Sequence, residues 1–482
     1  MVDATANTAY GSLQDAVAGA TTGDALEVFG TCTGTTTIST NLTITGQAAN
    51  GFTAPTLDGG SVDNSVTNSV LTISSGATVA IGNLMITDGN AAWGGGGILN
   101  FGSVTVTGST ISNNTASGGW GGGGILNDGS LTVTGSTISN NTATDAQGCT
   151  VDQTCIGGGI FNYPGNSVTV TGSTISNNSA GTQGGGIFQG EGPMAVTDST
   201  ISNNSAGSYG GGIYNDTTVT VTGSTISNNT SGYIGGGIYN DDGGAPTVTD
   251  STISGNYAAS EGGGIYLNLT TMTVTTSTIS GNTAGGSGGG IYNYESSLII
   301  VSSTISGTSG GGGIYNYSDT YPGSVSIAGT IVATNGANCA GTAITDDGYN
   351  LEDDAAASCG FSTASHDVVG QSPDLGTLAN NGGPTETMAL LPGSPAIDAI
   401  PNPTTVSIGT LCAGTDQRGV SRKTPMCDIG AYDTVNQAPS FSASANPTST
   451  AYGNTVSLSA AGLPSGATGT VSFTSSGSTL CS

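Results

Sequence analysis

Cations are almost absent. Of 482 residues only Arg418, Arg422 and Lys423 are basic, so residues 1–417 carry neither lysine nor arginine, and 31 acidic residues bring the formal net charge to −28. A nucleic-acid binder must neutralise phosphates with such side chains, and an anionic bilayer attracts the same groups, so both partner classes are excluded. Charged residues amount to only 7% of the chain, too few for the polar faces of ordinary helical bundles. No apolar run reaches the roughly 18 residues of a membrane-spanning helix. Histidine occurs once, as His366 in the polar stretch S-T-A-S-H-D, and reads as a solvated loop residue rather than a general base. The opening Met1-Val2-Asp3-Ala4 lacks the basic and apolar regions of a signal peptide. With the abrupt ending Leu480-Cys481-Ser482, this sets the expectation of a mature or truncated form of an exported protein.

What is abundant is glycine, with 84 residues, and it recurs in register. The motif S-T-I-S places isoleucines at 111, 138, 175, 201, 226, 253, 279 and 305, and G-G-G-I places them at 98, 125, 160, 187, 213, 238, 265, 291 and 314. The two interleave at a period of about 26 residues, the signature of a solenoid. In the unit from Gly210 to Thr230, Val219 and Val221 alternate with threonines as in a strand with one buried face, and Ile213 and Ile226 mark two more short strands. Three strands and three corners, with Asp216 and Gly223 among the corner residues, close one coil. A single coil cannot bury its own aliphatic side chains, whereas a stack of coils shares one core. The expected fold is therefore all-β: a single-stranded right-handed parallel β-helix with an N-terminal helical cap, followed by a partial Ig-like β-sandwich segment.

The expected organisation is an N-terminal cap with the first coils (1–90), regular repeats (91–335), degenerate coils with a C-terminal cap (336–433, loop-rich from 371), and a truncated Ig-like segment (434–482). Ser12 to Ala18 is the helical stretch, with serine at its N-cap and an acidic first turn. The asparagine pairs that begin at Asn113, Asn140, Asn177, Asn203 and Asn228 recur at one corner and are expected to form an axial amide ladder. Cysteines in close pairs, Cys149 with Cys155, Cys339 with Cys359 and Cys412 with Cys427, read as local disulfides of an oxidising compartment. Cys32 and Cys481 are left without an assigned partner.

The G-G-G-I-[YFL]-N and I-S-N-N units resemble right-handed parallel β-helix repeats, and the G-G-A-I and F-x-x-N repeats of polymorphic outer membrane proteins with isoleucine in place of phenylalanine. S-L-Q-D-A-V near the start, with L-T-I-T-G at 42–46, resembles the opening of pectate-lyase-like β-helices. L-G-T-L-A-N-N-G-G-P-T at 375–385, G-S-P-A-I-D at 393–398, D-Q-R-G at 416–419 and C-D-I-G-A-Y at 427–432 resemble bacterial choice-of-anchor Q proteins. That resemblance implies export and an extracellular or cell-surface location. Residues from 438 onward look like the first half of a bacterial Ig-like domain.

Function divides into two classes. The first is a non-catalytic adhesin, matrix or display scaffold whose partners are extracellular glycans or a host or neighbouring cell surface. Tyr214, Tyr239, Tyr266, Tyr292 and Tyr315 each follow an inward isoleucine, so they point outward as a column on which sugars can stack, unless the variable loops fold over them. The second is a polysaccharide-active enzyme. The lyase resemblance implies Arg or Lys against a uronate, which residues 1–417 lack. A neutral-glycan hydrolase would need two carboxylates, and Asp198 and Asp250 stand two coils apart at a corner otherwise held by glycine. Aspartate is also a natural corner residue. No cofactor is expected beyond calcium, for which Asp241, Asp242, Asp353 and Asp354 are the candidate oxygen ligands. Arg418 is expected to pair with Asp398, Asp416 or Asp428.

Overall fold

The structure is a computed structural model that describes residues 2–5, 7–48, 55–60, 69–118, 121–144, 149, 155–434, 442–446, 457–461, 473–475 and 478–481, those beyond 434 as backbone only. It falls into two units, 1–433 and 434–482. The first is a right-handed parallel β-solenoid of about 11 turns with about 26 residues per turn. In the second, Ser442–Asn446 pairs antiparallel with Ser457–Ala461, and Phe473–Ser475 with Ser478–Cys481.

Each regular coil contributes four strands, not three. Five-residue strands such as Thr218–Thr222 build a 15-stranded sheet, T-I-S strands such as Thr225–Ser227 a 14-stranded one, and I-Y-N strands such as Ile213–Asn215 a 12-stranded one. The fourth sheet has eight strands of only two residues, such as Ser205–Ala206, whose small second side chain turns inward. Alanine there lets the narrowest wall approach the glycine run opposite. A Cβ on Gly211 would meet carbonyl oxygens of Gly236 and Thr230 at 2.5 Å.

Register is one-to-one from coil to coil: Ile201 pairs with Ile226 and Ile226 with Ile253, while Val196 pairs with Val221. Side chains of one type therefore stack on themselves, and Ile213, Val219, Val221 and Ile226 of one coil are all fully buried. Burying such a side chain is worth about 1.5–3 kcal/mol.

Corners must turn the chain and still satisfy buried backbone groups. The asparagine pair divides these tasks. The first residue, at Asn113, Asn140, Asn177, Asn203 and Asn228, is exposed and takes the left-handed conformation with φ of 55–58°. Its short side chain makes that region cheap. The second residue points inward and forms the ladder, so the expected amide ladder runs through Asn114, Asn141, Asn178, Asn204, Asn229, Asn256 and Asn282. Asn204 Nδ2 donates to Asn229 Oδ1 at 3.0 Å and to Ile175 O at 3.0 Å, while its own Oδ1 accepts from the backbone N–H and the Nδ2 of Asn178.

Two further ladders accompany it. The first serine of each S-T-I-S donates its backbone N–H to the serine hydroxyl of the next coil, as from Ser199 to Ser224 at 3.0 Å. That hydroxyl in turn donates to the carbonyl two residues earlier, as from Ser224 to Thr222 at 2.8 Å. The asparagine of I-Y-N forms the other ladder, with Asn215 Nδ2 on Asn240 Oδ1 at 3.0 Å. Gln189 interrupts it: its longer amide turns to the carbonyls of Gly190 and Gly192, and the buried oxygens of Gln189 and Asn215 are left without partners. Leu267 interrupts it again and leaves Asn293 Oδ1 unpaired.

The ends close differently. Helix Leu13–Gly19, capped by Ser12 accepting from the Asp15 N–H at 3.1 Å, buries Leu13, Ala16 and Val17 over the first coil. At the far end, Cys339, Cys359 and Phe361 join the core. Residues 371–433, expected to cap that end, lie instead along the outer side of the T-I-S sheet. Gln417 accepts from Thr278 Oγ1 at 2.6 Å and donates to Ser251 O at 3.1 Å, Glu386 O accepts from Thr252 Oγ1 at 2.5 Å, and Ala431 N–H donates to Thr304 Oγ1 at 3.1 Å. Leu390, Ile400, Leu411 and Ile429 make a second core against Ile331 and Leu351. Threonine provides the docking hydroxyl on each of these coils, which is why the segment can clamp several coils side-on.

Asn204→Ala leaves the backbone N–H and one side-chain amide hydrogen of Asn178 unpaired in the interior, the other staying on Ile138 O, and should cost about 2–4 kcal/mol, read as faster hydrogen exchange in the coils around 178–229. Gln189→Asn should restore the interrupted ladder and raise the urea midpoint, by about 1 kcal/mol of stability. A Gln189→Asn protein weaker than the parent would contradict the ladder account.

Candidate binding surface

The residue after each G-G-G-I isoleucine points away from the core, as the alternation requires. Leu99, Leu126, Phe161, Phe188, Tyr214, Tyr239, Tyr266, Tyr292 and Tyr315 accordingly form one column on the outside of the I-Y-N sheet. From Phe188 to Tyr315 the rings stack face to face, with centroids 4.8–5.3 Å apart and planes within 20°. Parallel register sets this spacing, since the pitch of neighbouring strands is close to that of stacked rings.

The column is covered rather than presented. Tyr214, Tyr239, Tyr266 and Tyr292 are only 6–9% exposed. Loop residues Ile156, Tyr209 and Ile234 pack on it, and each inner ring has both faces against its neighbours. A sugar therefore has no free face on Tyr214, Tyr239, Tyr266 or Tyr292, which corrects the expectation of an exposed platform at these four, while Tyr315, the last ring of the stack, is only partly buried. The Tyr214 hydroxyl donates to Asp241 at 2.9 Å, and burial above all, with Asp216 and Asp241 nearby, pushes its ionisation far up.

Beside the column runs the corner that follows the I-Y-N asparagine. In register it carries Phe101, Asp128, Tyr163, Gly190, Asp216, Asp241, Asn268, Tyr294 and Tyr317. Burial raises the Asp216 carboxyl to about 6, opposed by the Tyr214 hydroxyl and reinforced by Asp241 and Glu191. At one end of this corner Tyr294 stacks on Tyr317 at 5.1 Å. At the other, Phe101 and Tyr163 are each 42% exposed and Trp93 is 74% exposed. With Gly94, Leu99, Leu126, Asp128 and Phe161 they line a cleft of about 440 Å³. Sequence reasoning missed this place, although W-G-G-G-G-I-L-N-F at 93–101 departs visibly from the tyrosine-bearing units.

The carboxylate pair Asp198 and Asp250 sits where the spacing put it, on one corner with Gly223 between them. Both take left-handed φ, 48° and 51°, as do the glycines at 108, 135, 172 and 223. The tail lies against this corner: Thr385 Oγ1 donates to Asp250 O at 3.2 Å, and Thr276 Oγ1 donates to the Asp250 carboxylate at 2.5 Å. Burial is the main reason its pKa rises. A Cβ on Gly223 would come 2.5 Å from Asp198 Oδ1. Asp250 is thus a corner residue against a covering loop and Asp198 an exposed corner residue, with no described cleft between them.

The candidate calcium ligands are used locally. Asp241 accepts from Tyr214 and from Asn268 Nδ2 at 2.7 Å, Asp353 from Thr334 N–H at 3.0 Å and Asn338 Nδ2 at 2.8 Å, and Asp354 from Ala356 N–H at 2.8 Å. Asp242 is exposed. Among the described residues no three His, Cys, Asp or Glu side chains gather as a metal site.

All three cations of the chain lie together in the tail. Arg418 pairs with Asp416 at 2.6 Å and lies over the Tyr432 ring at 3.7 Å, while Asp398 and Asp428, the other expected partners of Arg418, are taken by Lys423 at 2.6 and 2.9 Å. Arg422, almost wholly buried, reaches Asp433 at 3.6 Å and donates to Gly430 O at 2.8 Å. The disulfides Cys149–Cys155, Cys339–Cys359 and Cys412–Cys427 are formed, Cys32 is free and half-buried, and the Cys481 side chain lies outside the described residues.

Coil geometry, ladders and repeats define the class: this is a right-handed parallel β-helix repeat protein. Residues 143–272 match the family model "Right handed beta helix region", and residues 276–294 match the "Chlamydia polymorphic membrane protein repeat". No curated protein matches the chain.

A carboxyl whose folded pKa is raised stabilises the fold fully below its unfolded value and loses that contribution as pH rises through the folded one. Stability should therefore fall between about pH 4 and the Asp216 value of about 6. Asp216→Asn should flatten melting temperature against pH in that window by a share worth about 1–2 kcal/mol, after allowance for solvent at this edge. An unchanged slope would remove Asp216 from the account.

Proposed function

We propose that the protein is a non-catalytic display scaffold of the bacterial cell surface or extracellular matrix, of the choice-of-anchor Q kind, acting as an adhesin toward glycans or neighbouring cells. The observation that carries this reading is the stacking of about 11 turns on one shared core, with an asparagine ladder unbroken from Asn114 to Asn282. At roughly 4.8 Å per coil they make a stiff body about 50 Å tall with repetitive sides. Supporting it are the match to a polymorphic membrane protein repeat, three disulfides and a surface with almost no cations. Such a body offers a constant shaft whose loops vary without disturbing the core, which suits presentation better than turnover. The carboxylates that a hydrolase would use, Asp198 and Asp250, stand at left-handed corners, and that of Asp250 accepts from Thr276.

The test is topological and chemical. Intact cells expressing the complete gene should lose the protein to added protease and label it with a membrane-impermeant biotin reagent. Thiol alkylation before reduction should leave six cysteines, those of the three disulfides, unmodified. Protection from protease together with fully alkylated cysteines would overturn the reading, as would reducing-sugar release from a neutral polysaccharide that Asp198→Asn abolishes.

A further inference from the structure

The tyrosine column is sealed over most of its length, but its N-terminal end is open. There Leu99 is only partly buried, Trp93 stands 74% exposed beside it, and Phe101 and Tyr163 are 42% exposed. Single exposed apolar residues need no explanation, whereas three large aromatics around one cleft of about 440 Å³ do.

Register fixes their arrangement. Phe101, Asp128 and Tyr163 each follow an asparagine of the I-Y-N sheet, and Asn100, Asn127 and Asn162 are paired in successive coils. The order along the edge is therefore ring, carboxylate, ring, with Phe101 and Tyr163 about 9.6 Å apart at two coil pitches. Tyr163 is steadied edge-on by Phe161 at 5.9 Å, and Asp128 is held by Asn166 Nδ2 at 3.1 Å. Leu99 and Leu126 form an aliphatic floor, and Trp93 forms one wall.

We infer that this edge is a carbohydrate-binding subsite for a neutral, extended pyranose chain. Axial hydrogens give a pyranose an apolar face that packs on an aromatic ring, and its equatorial hydroxyls donate to a carboxylate. Two rings separated by two pitches, with an acceptor between them, suit alternate sugar units of an extended chain. Charge selects the ligand class: residues 1–417 hold no cation and the chain carries −28, so a uronate or sulfated chain is repelled. This site deepens the scaffold reading and rests on it for biological meaning, although binding itself is measurable wherever the protein resides.

The experiment is native affinity electrophoresis of the whole chain in gels containing hydroxyethylcellulose, galactomannan or laminarin, with alginate as the anionic control. At least one neutral polymer should retard the protein and alginate should not. Trp93→Ala, Phe101→Ala and Tyr163→Ala should each weaken the retardation constant about tenfold, with melting temperature unchanged at these three exposed positions, and Asp128→Asn should weaken it several-fold. Tyr239→Phe, inside the sealed column, should bind like the parent. Retardation by none of the three neutral polymers, or equal retardation of the parent and the three aromatic variants, would overturn the subsite. Either failure leaves the protease and biotin results on intact cells untouched, so the two readings stand or fall separately.

Discussion

Everything in this molecule depends on pairing each residue with its counterpart one coil away. A parallel ladder with no slip stacks isoleucine on isoleucine, serine on serine and amide on amide, and each stack solves a different problem. The aliphatic stacks remove apolar surface from water. The serine and asparagine stacks satisfy backbone groups that tight corners would otherwise strand in the interior, where an unpaired polar group costs about 1–3 kcal/mol. Asn204 shows the economy of the arrangement, since both its amide hydrogens and its oxygen are engaged along the axis.

The same constraint explains why the outer decoration is so varied. Once core and corners are fixed, a coil tolerates Gly, Asp, Asn or Thr at its left-handed corner, as at Gly223, Asp250, Asn83 and Thr276. It also tolerates a loop as long as the insertion carrying Cys149 and Cys155. The aromatic column is intermediate in character: repetitive like the core, yet placed outside it, sealed where Ile156, Tyr209 and Ile234 overlie it and open beside Trp93.

Coil period, strand identity, the helical cap and the three disulfides were legible in the sequence because each leaves a local or strictly periodic mark. The two-residue T-A and S-A strands were not, since alternation cannot be seen over two positions. The serine and I-Y-N ladders were visible as repeats, but a recurring hydroxyl or amide does not announce which way it faces. The fate of the tyrosines depends on loops that share no pattern, and alternation alone reports only that they leave the core. The lateral clamp is the least legible feature. Thr252 and Glu386 meet across 134 residues, and only the clustering of Arg418, Arg422 and Lys423 hints that the tail organises itself around a few buried charges.

The clamp divides the solenoid mechanically. Coils from about Asp250 onward are strapped together from the side, so force applied there spreads over several rungs and over the salt-bridged tail at once. The described hydrogen bonds of the strap begin at Asp250, and the amide seam at Gln189 lies in the coils before it. Opening a coil on the helix-capped side therefore breaks fewer contacts than opening one in the strapped half, so local stability is expected to rise along the solenoid toward its C-terminal end.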